Sequence, residues 1–157
     1  MTRDLDLVVL VDDAKNAIAA LRAAGLRAST PVGSRDNPEP MIVFVDPMTG
    51  VDVDLLVAAG DPEAVVIEEA PRAKVFGRMA PVATLEHLLL LYLYSNQPKH
   101  IGDFAAIVQS GRARLPTVER TLAKMHAEML PEWKSRVRLA LSPPPAPARP
   151  PARKRKK

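Results

Sequence analysis

At 157 residues, 47% of them hydrophobic, the chain can bury one core of ordinary size, and one domain is expected. It has no cysteine, which excludes disulfides and thiolate metal sites, and no segment that resembles a signal peptide or is apolar for long enough to span a bilayer, so a cytoplasmic location is expected. The formal net charge of +4 belongs to one end: residues 142 to 157 carry Arg149, Arg153, Lys154, Arg155, Lys156 and Lys157 with no acid, and taking those six from 22 basic residues leaves 16 against 18 acids.

Leu5 to Val11 reads as a strand, after which Asp12 or Asp13 is placed to cap a helix over AKNAIAALRAAG, with Ala17, Ile18, Leu21 and Ala24 in one apolar stripe. Gly25 is expected to end it, and SRDNPEP at residues 34 to 40 to form a loop. Residues 41 to 58, MIVFVDPMTGVDVDLLVA, hold two apolar runs around Asp46, Pro47 and Gly50, which predicts a hairpin with a longer turn. Asp61 as cap and Pro62 as first residue open a short helix, and AKVFGRMAPVA suggests another short strand. Thr84 then caps LEHLLLLYLYS, a run apolar almost all round and therefore interior. Pro98 interrupts it, and HIGDFAAIVQS, PTVERTLAKMHAEM and PEWKSRVRLAL read as three more helices punctuated by Gly111 and Pro131.

Strands early and helices late predict an α+β domain over residues 1 to 141, a mixed β-sheet covered by a helical C-terminal half. From about Ser142 the proline-rich, then cationic composition predicts a disordered tail. Its six basic side chains suit weak contact with nucleic acid or another polyanion, or a targeting signal, but read more readily as a solubilising end.

Two stretches, TRDLDLVVLV and TGVDVDLLVA, each place two aspartates two apart at the head of an apolar strand. Side chains alternate along a strand with a rise of about 3.3 Å, so Asp4 and Asp6 share one face, as do Asp52 and Asp54. If the strands are neighbours, up to four carboxylates converge on a patch that repels itself unless cations occupy it. Phosphoryl-type transfer from a nucleoside triphosphate needs such carboxylates, because Mg²⁺ prefers oxygen ligands and two-metal sites hold their ions about 3.5 to 4 Å apart.

These residues resemble the nucleotidyltransferase-fold proteins, in particular the small bacterial minimal and abortive-infection toxin-like branch. TRDLDLVV looks like that family's Asp-x-Asp strand and TGVDVDLLVA like its third-acid strand. VATLEHLLLLYLYSNQPKHIGDFAAIV looks like its helical stretch, with Lys99 and Asp103 in the Lys-x-x-x-Asp spacing; the likeness spans roughly residues 2 to 110. The resemblance implies a sheet of the nucleotidyltransferase type and Mg²⁺-dependent transfer of a nucleoside monophosphate to a hydroxyl of protein, RNA or a small molecule, in a toxin–antitoxin or phage-defence setting. By it, Asp4, Asp6 and Asp54 would be the catalytic, metal-binding acids, and Lys99 and Asp103 would contact the nucleotide. Asp52 is left between a supporting role and plain solvation.

Two departures are visible. The family carries a Gly-Ser pair upstream of the first aspartate to hold the triphosphate, and with Met1 three residues before Asp4 that element is expected to be lacking. Relatives also commonly have a lysine near the position of Tyr92. The alternative is therefore a non-catalytic member that binds a partner or nucleic acid through its helical half and tail.

Lys99 and Asp103 also fit an exposed i, i+4 pair worth about 0.3 to 0.5 kcal/mol. Arg120 and His126 loosely match an Arg–His spacing of partner ribonucleases in such systems, but read better as surface charges. His87 and His100 lie too far apart to argue for zinc. Tyr92, Tyr94 and Trp133 are expected to be core or interface anchors. There is no phosphate-binding Gly-x-x-x-x-Gly-Lys loop, no Gly-x-Gly-x-x-Gly, and no nucleophile with its base.

Overall fold

The computed structural model describes residues 4–34, 39–58, 60–75 and 77–142, so the cationic tail lies outside the described residues. The fold is α+β, as the sequence predicts. Strand β1 (Asp4–Leu10) leads through a 3₁₀ turn into helix α1 (Ala14–Ala23), followed by β2 (Arg27–Ala28), β3 (Met41–Val45) and β4 (Asp52–Ala58). Helix α2 (Asp61–Glu69) precedes β5 (Arg72–Val75) and β6 (Arg78–Pro81). Four helices close the described chain: α3 (Leu85–Leu93), α4 (Pro98–Gln109), α5 (Leu115–Met125) and α6 (Leu130–Leu141). Among the described residues no helix is long and apolar enough to cross a membrane.

The main sheet runs β1-β4-β3-β2, with β1 parallel to β4 and the other pairs antiparallel; β5 and β6 form a separate ribbon. Strand alternation gives this sheet two chemically different faces. Leu7, Val9, Ile42, Phe44, Val53 and Leu55 point to one side, where Ala17, Ile18 and Leu21 of α1 cover them. Ile42, Phe44 and Leu55 are completely buried there, each contributing about 2 to 3 kcal/mol relative to exposure. The second core lies among the helices, built on Leu89, Leu90, Leu93, Phe104, Leu122 and Trp133.

Several boundaries follow the sequence. Gly25 ends α1 with φ 92°, its amide donating to the Arg22 carbonyl at 3.0 Å and that of Leu26 to Leu21 at 3.1 Å. The β3–β4 turn is held by Asp46, whose carboxylate accepts from the Met48 amide at 2.9 Å and the Thr49 hydroxyl at 2.6 Å. Those bonds, the hydroxyl first, hold its pKa below the usual carboxylate value. Thr84 caps α3 as expected, and reciprocally: its hydroxyl accepts from the His87 amide while His87 Nδ1 accepts from the Thr84 amide, both at 3.3 Å.

Other expectations are corrected. Asp13 stands at the N-cap of α1 as expected, but its side chain makes no cap hydrogen bond, because the 3₁₀ turn over Val11–Asp13 already puts its backbone in a helical conformation (φ −92°, ψ −10°). Extended Gly60 takes the cap of α2, which shifts Asp61 and Pro62 one place into the helix. The single strand expected in AKVFGRMAPVA is two, β5 and β6, which turn at Gly77 with φ 83°. The helix expected through residue 129 stops at Met125, since His126 leaves helical space at φ −146°, ψ 67°. The short β2 has no period-2 signal and owes its conformation to pairing with Phe44 and Val45.

Candidate functional site

The two aspartate pairs meet. Parallel pairing sets Asp4 opposite Asp52 and Asp6 opposite Asp54, on strands separated by about 4.8 Å. Because directly paired residues share a face, all four lie opposite the α1 side, and the same hydrophobic periodicity that buries Leu7, Val53 and Leu55 delivers the acids outward. Asp4, Asp6 and Asp52 are exposed; Asp54 is half-buried, since β4 has β1 on one side and β3 on the other, with Val43 as its second neighbour. Burial and then the charges of Asp6, Asp4 and Asp52 push the Asp54 carboxyl above its usual pKa. The Lys99 ammonium acts in the opposite sense.

Lys99 comes from the first turn of α4, where the helix dipole adds positive potential. It makes no ion pair with Asp103: among the described residues the pairs are His126 with Asp61 and Glu128, and Arg136 with Glu132. The exposed-pair expectation for Lys99 is thus corrected, and its charge is felt by Asp54 instead. Tyr92, at the end of α3, stacks on His100 with ring centroids 4.8 Å apart. Burial, then the charges of Asp103 and Asp6, raise its phenol pKa, so Tyr92 lies within electrostatic reach of both carboxylates. Of the three expected anchors, Trp133 is fully buried and Tyr92 partly so, while Tyr94, 36% exposed, packs edge-on against His126 with ring centroids 5.7 Å apart.

One determinant of this geometry has no local signature in the sequence. Arg136 of α6 reaches back to the α3–α4 connection, where Nη1 donates to the carbonyls of Tyr92 (3.1 Å) and Ser95 (3.0 Å) and Nη2 to Asn96 Oδ1 (3.2 Å). Its Nε donates to Glu132 at 2.6 Å. This fork fixes the segment that leads from Tyr92 to Lys99. Only the i, i+4 link to Glu132 could be read from spacing; the others span 40 to 44 residues. Arg136→Ala is expected to cost about 2 to 3 kcal/mol by orphaning those carbonyls, and Arg136→Lys nearly as much, because an ammonium cannot reproduce the planar fork. Urea unfolding curves of the two variants measure this.

The donor set around Asp54 is all carboxylate oxygen, which suits a hard divalent cation rather than zinc or copper. Among the described residues no three His, Asp or Glu side chains are gathered closely enough to hold a metal ion as they stand. An ion there would require the carboxylates to swing together across one strand spacing. The chain matches no protein-family model, and no curated protein is significantly similar to it.

Proposed function

We propose that this protein is a Mg²⁺-dependent nucleotidyltransferase that moves a nucleoside monophosphate from a triphosphate to a hydroxyl on protein, RNA or a small molecule. The observation that carries the reading is the parallel register that sets Asp6 opposite Asp54, with Lys99 within electrostatic reach of the same carboxylate. Asp4, Asp6 and Asp54 would hold Mg²⁺, which when bound neutralises phosphate oxygens as charge shifts to the leaving group. Lys99 would add positive charge beside the triphosphate, and Asp103 would fix the nucleotide's position. The acceptor oxygen attacks the α-phosphorus, pyrophosphate leaves with the electrons of the broken P–O bond, and the hydroxyl proton passes to Asp54. A carboxylate whose neighbours raise its proton affinity suits that last role.

A second reading, a non-catalytic binding module on the same fold, is favoured by the wide present spacing of the acids and by an aromatic residue, Tyr92, beside Asp6 and Asp103. Thermal unfolding with millimolar Mg²⁺ and each of the four ribonucleoside triphosphates separates the two. At ten times its dissociation constant a bound nucleotide contributes about 1.4 kcal/mol, a rise in Tm of roughly 3 to 6 °C that is lost on adding EDTA. No rise with any triphosphate defeats the enzyme reading.

A further inference from the structure

Away from the acid patch, the end of α2, the start of α3 and one face of α5 enclose a cleft of about 300 Å³. Its apolar surfaces come from Pro71, Leu90 and Val118, and its polar ones include Glu69, His87 and Thr121. His87 is only 9% exposed. Its Nδ1 accepts the Thr84 amide hydrogen, so the neutral ring must carry its proton on Nε2. No hydrogen bond between that Nε2 and a described residue is seen, and the atom is not sealed from solvent, so His87, which lines the cleft, keeps one donor to offer.

The charges narrow the ligand. Glu86 is already engaged, its Oε1 accepting the Arg114 amide at 2.7 Å, and the Arg114 side chain offsets its charge. Glu69 at the rim is then surplus negative charge, which disfavours an anion and supplies an acceptor. We propose that the cleft is a binding site for a small, uncharged, planar amide or lactam, its carbonyl accepting from His87 Nε2 and its amide N–H donating to Glu69, its ring against Leu90 and Val118. The volume is at the small end of ligand pockets and suits a single ring with few substituents.

The test uses ¹⁵N-labelled full chain and benzamide as probe, followed at the His87 ring nitrogens. Benzamide should move the Nε2 resonance saturably with a Kd of about 1 mM, the affinity expected for so few atoms. Benzoate, of the same shape but charged, should bind at least about 10-fold more weakly. Thr121→Trp, which fills the cleft, should abolish the shift, and Glu69→Gln on the exposed end of α2 should weaken binding about 5-fold and narrow the preference over benzoate. The proposal is overturned by an unmoved His87 signal at about 10 mM benzamide, by equal binding of benzoate, or by undiminished binding to both variants.

Discussion

On the proposed reading, Asp54→Asn should lower nucleotidyl transfer by at least about 10³-fold while leaving the fold intact or slightly more stable. The two effects have one cause. Asp54 is the half-buried member of a four-carboxylate patch, directly opposite Asp6. Like charges directly opposite in a sheet are unfavourable, so removing one is worth about 0.5 kcal/mol in the absence of divalent cation. The sign follows from the raised carboxyl: a carboxyl held above its usual pKa penalises the native state wherever it is ionised, and that penalty fades as pH falls through its raised value toward the ordinary aspartate range. The stability advantage of Asp54→Asn should therefore be largest near neutral pH and shrink in acid, and on the proposed reading it should reverse when Mg²⁺ is added, because only the parent chain would gain from the ion. Urea unfolding across pH, with and without Mg²⁺, reads the stability arm, and transfer of label from an α-³²P triphosphate reads the activity arm. A variant that is destabilised at neutral pH without metal would mean that Asp54 has a purely structural part to play.

Trp133→Ala should be the most damaging single core truncation, costing about 3 to 5 kcal/mol. Trp133 is completely buried, packs edge-on against Phe104 of α4 with ring centroids 5.5 Å apart, and donates from Nε1 to Glu119 Oε1 of α5 at 3.1 Å. One side chain thus joins three helices. For a chain of this size the loss corresponds to a fall in Tm of roughly 6 to 20 °C. Trp133→Phe keeps the ring contact but not the donor, and should lose about 1 to 2 kcal/mol, since the partly buried Glu119 carboxylate can recover some solvation. Scanning calorimetry of the pair separates packing from hydrogen bonding. Because α6 also carries Arg136, Trp133→Ala should weaken the hold on the Tyr92–Lys99 segment as well.

What could be read from the chain is what local chemistry dictates. Alternation in DLDLVVL and DVDLLVA is enough to put Asp4, Asp6, Asp52 and Asp54 on the polar faces of their strands, and Asp46 with Gly50 is enough to mark the hairpin. The parallel register that brings the two pairs together is not local, and neither is the clasp of Arg136 on the α3–α4 connection. The two aspartate caps fall short for different reasons: Asp13 holds the N-cap position of α1 but its backbone is already helical and its side chain makes no cap bond, whereas the N-cap of α2 falls one residue before Asp61, at Gly60. His126 looked like an ordinary helical position. Instead it ends α5 and meets Asp61 at 3.4 Å and Glu128 at 3.5 Å, interactions that a helix running through it would not provide. His87 likewise gains its meaning from Thr84 and from the walls of the cleft, none of which a lone histidine announces.

The register of β1 on β4 also sets the timing of assembly. The β3–β4 hairpin closes through a short connection, whereas Asp6 and Asp54 are 48 positions apart, so the pairing of β1 with β4 carries the larger loop-closure cost and is expected to follow the hairpin. Electrostatic repulsion opposes that late step. A chain in which β1 has not yet met β4 would therefore hold its acids apart, and on the proposed reading it could not yet gather the carboxylates that Mg²⁺ would need.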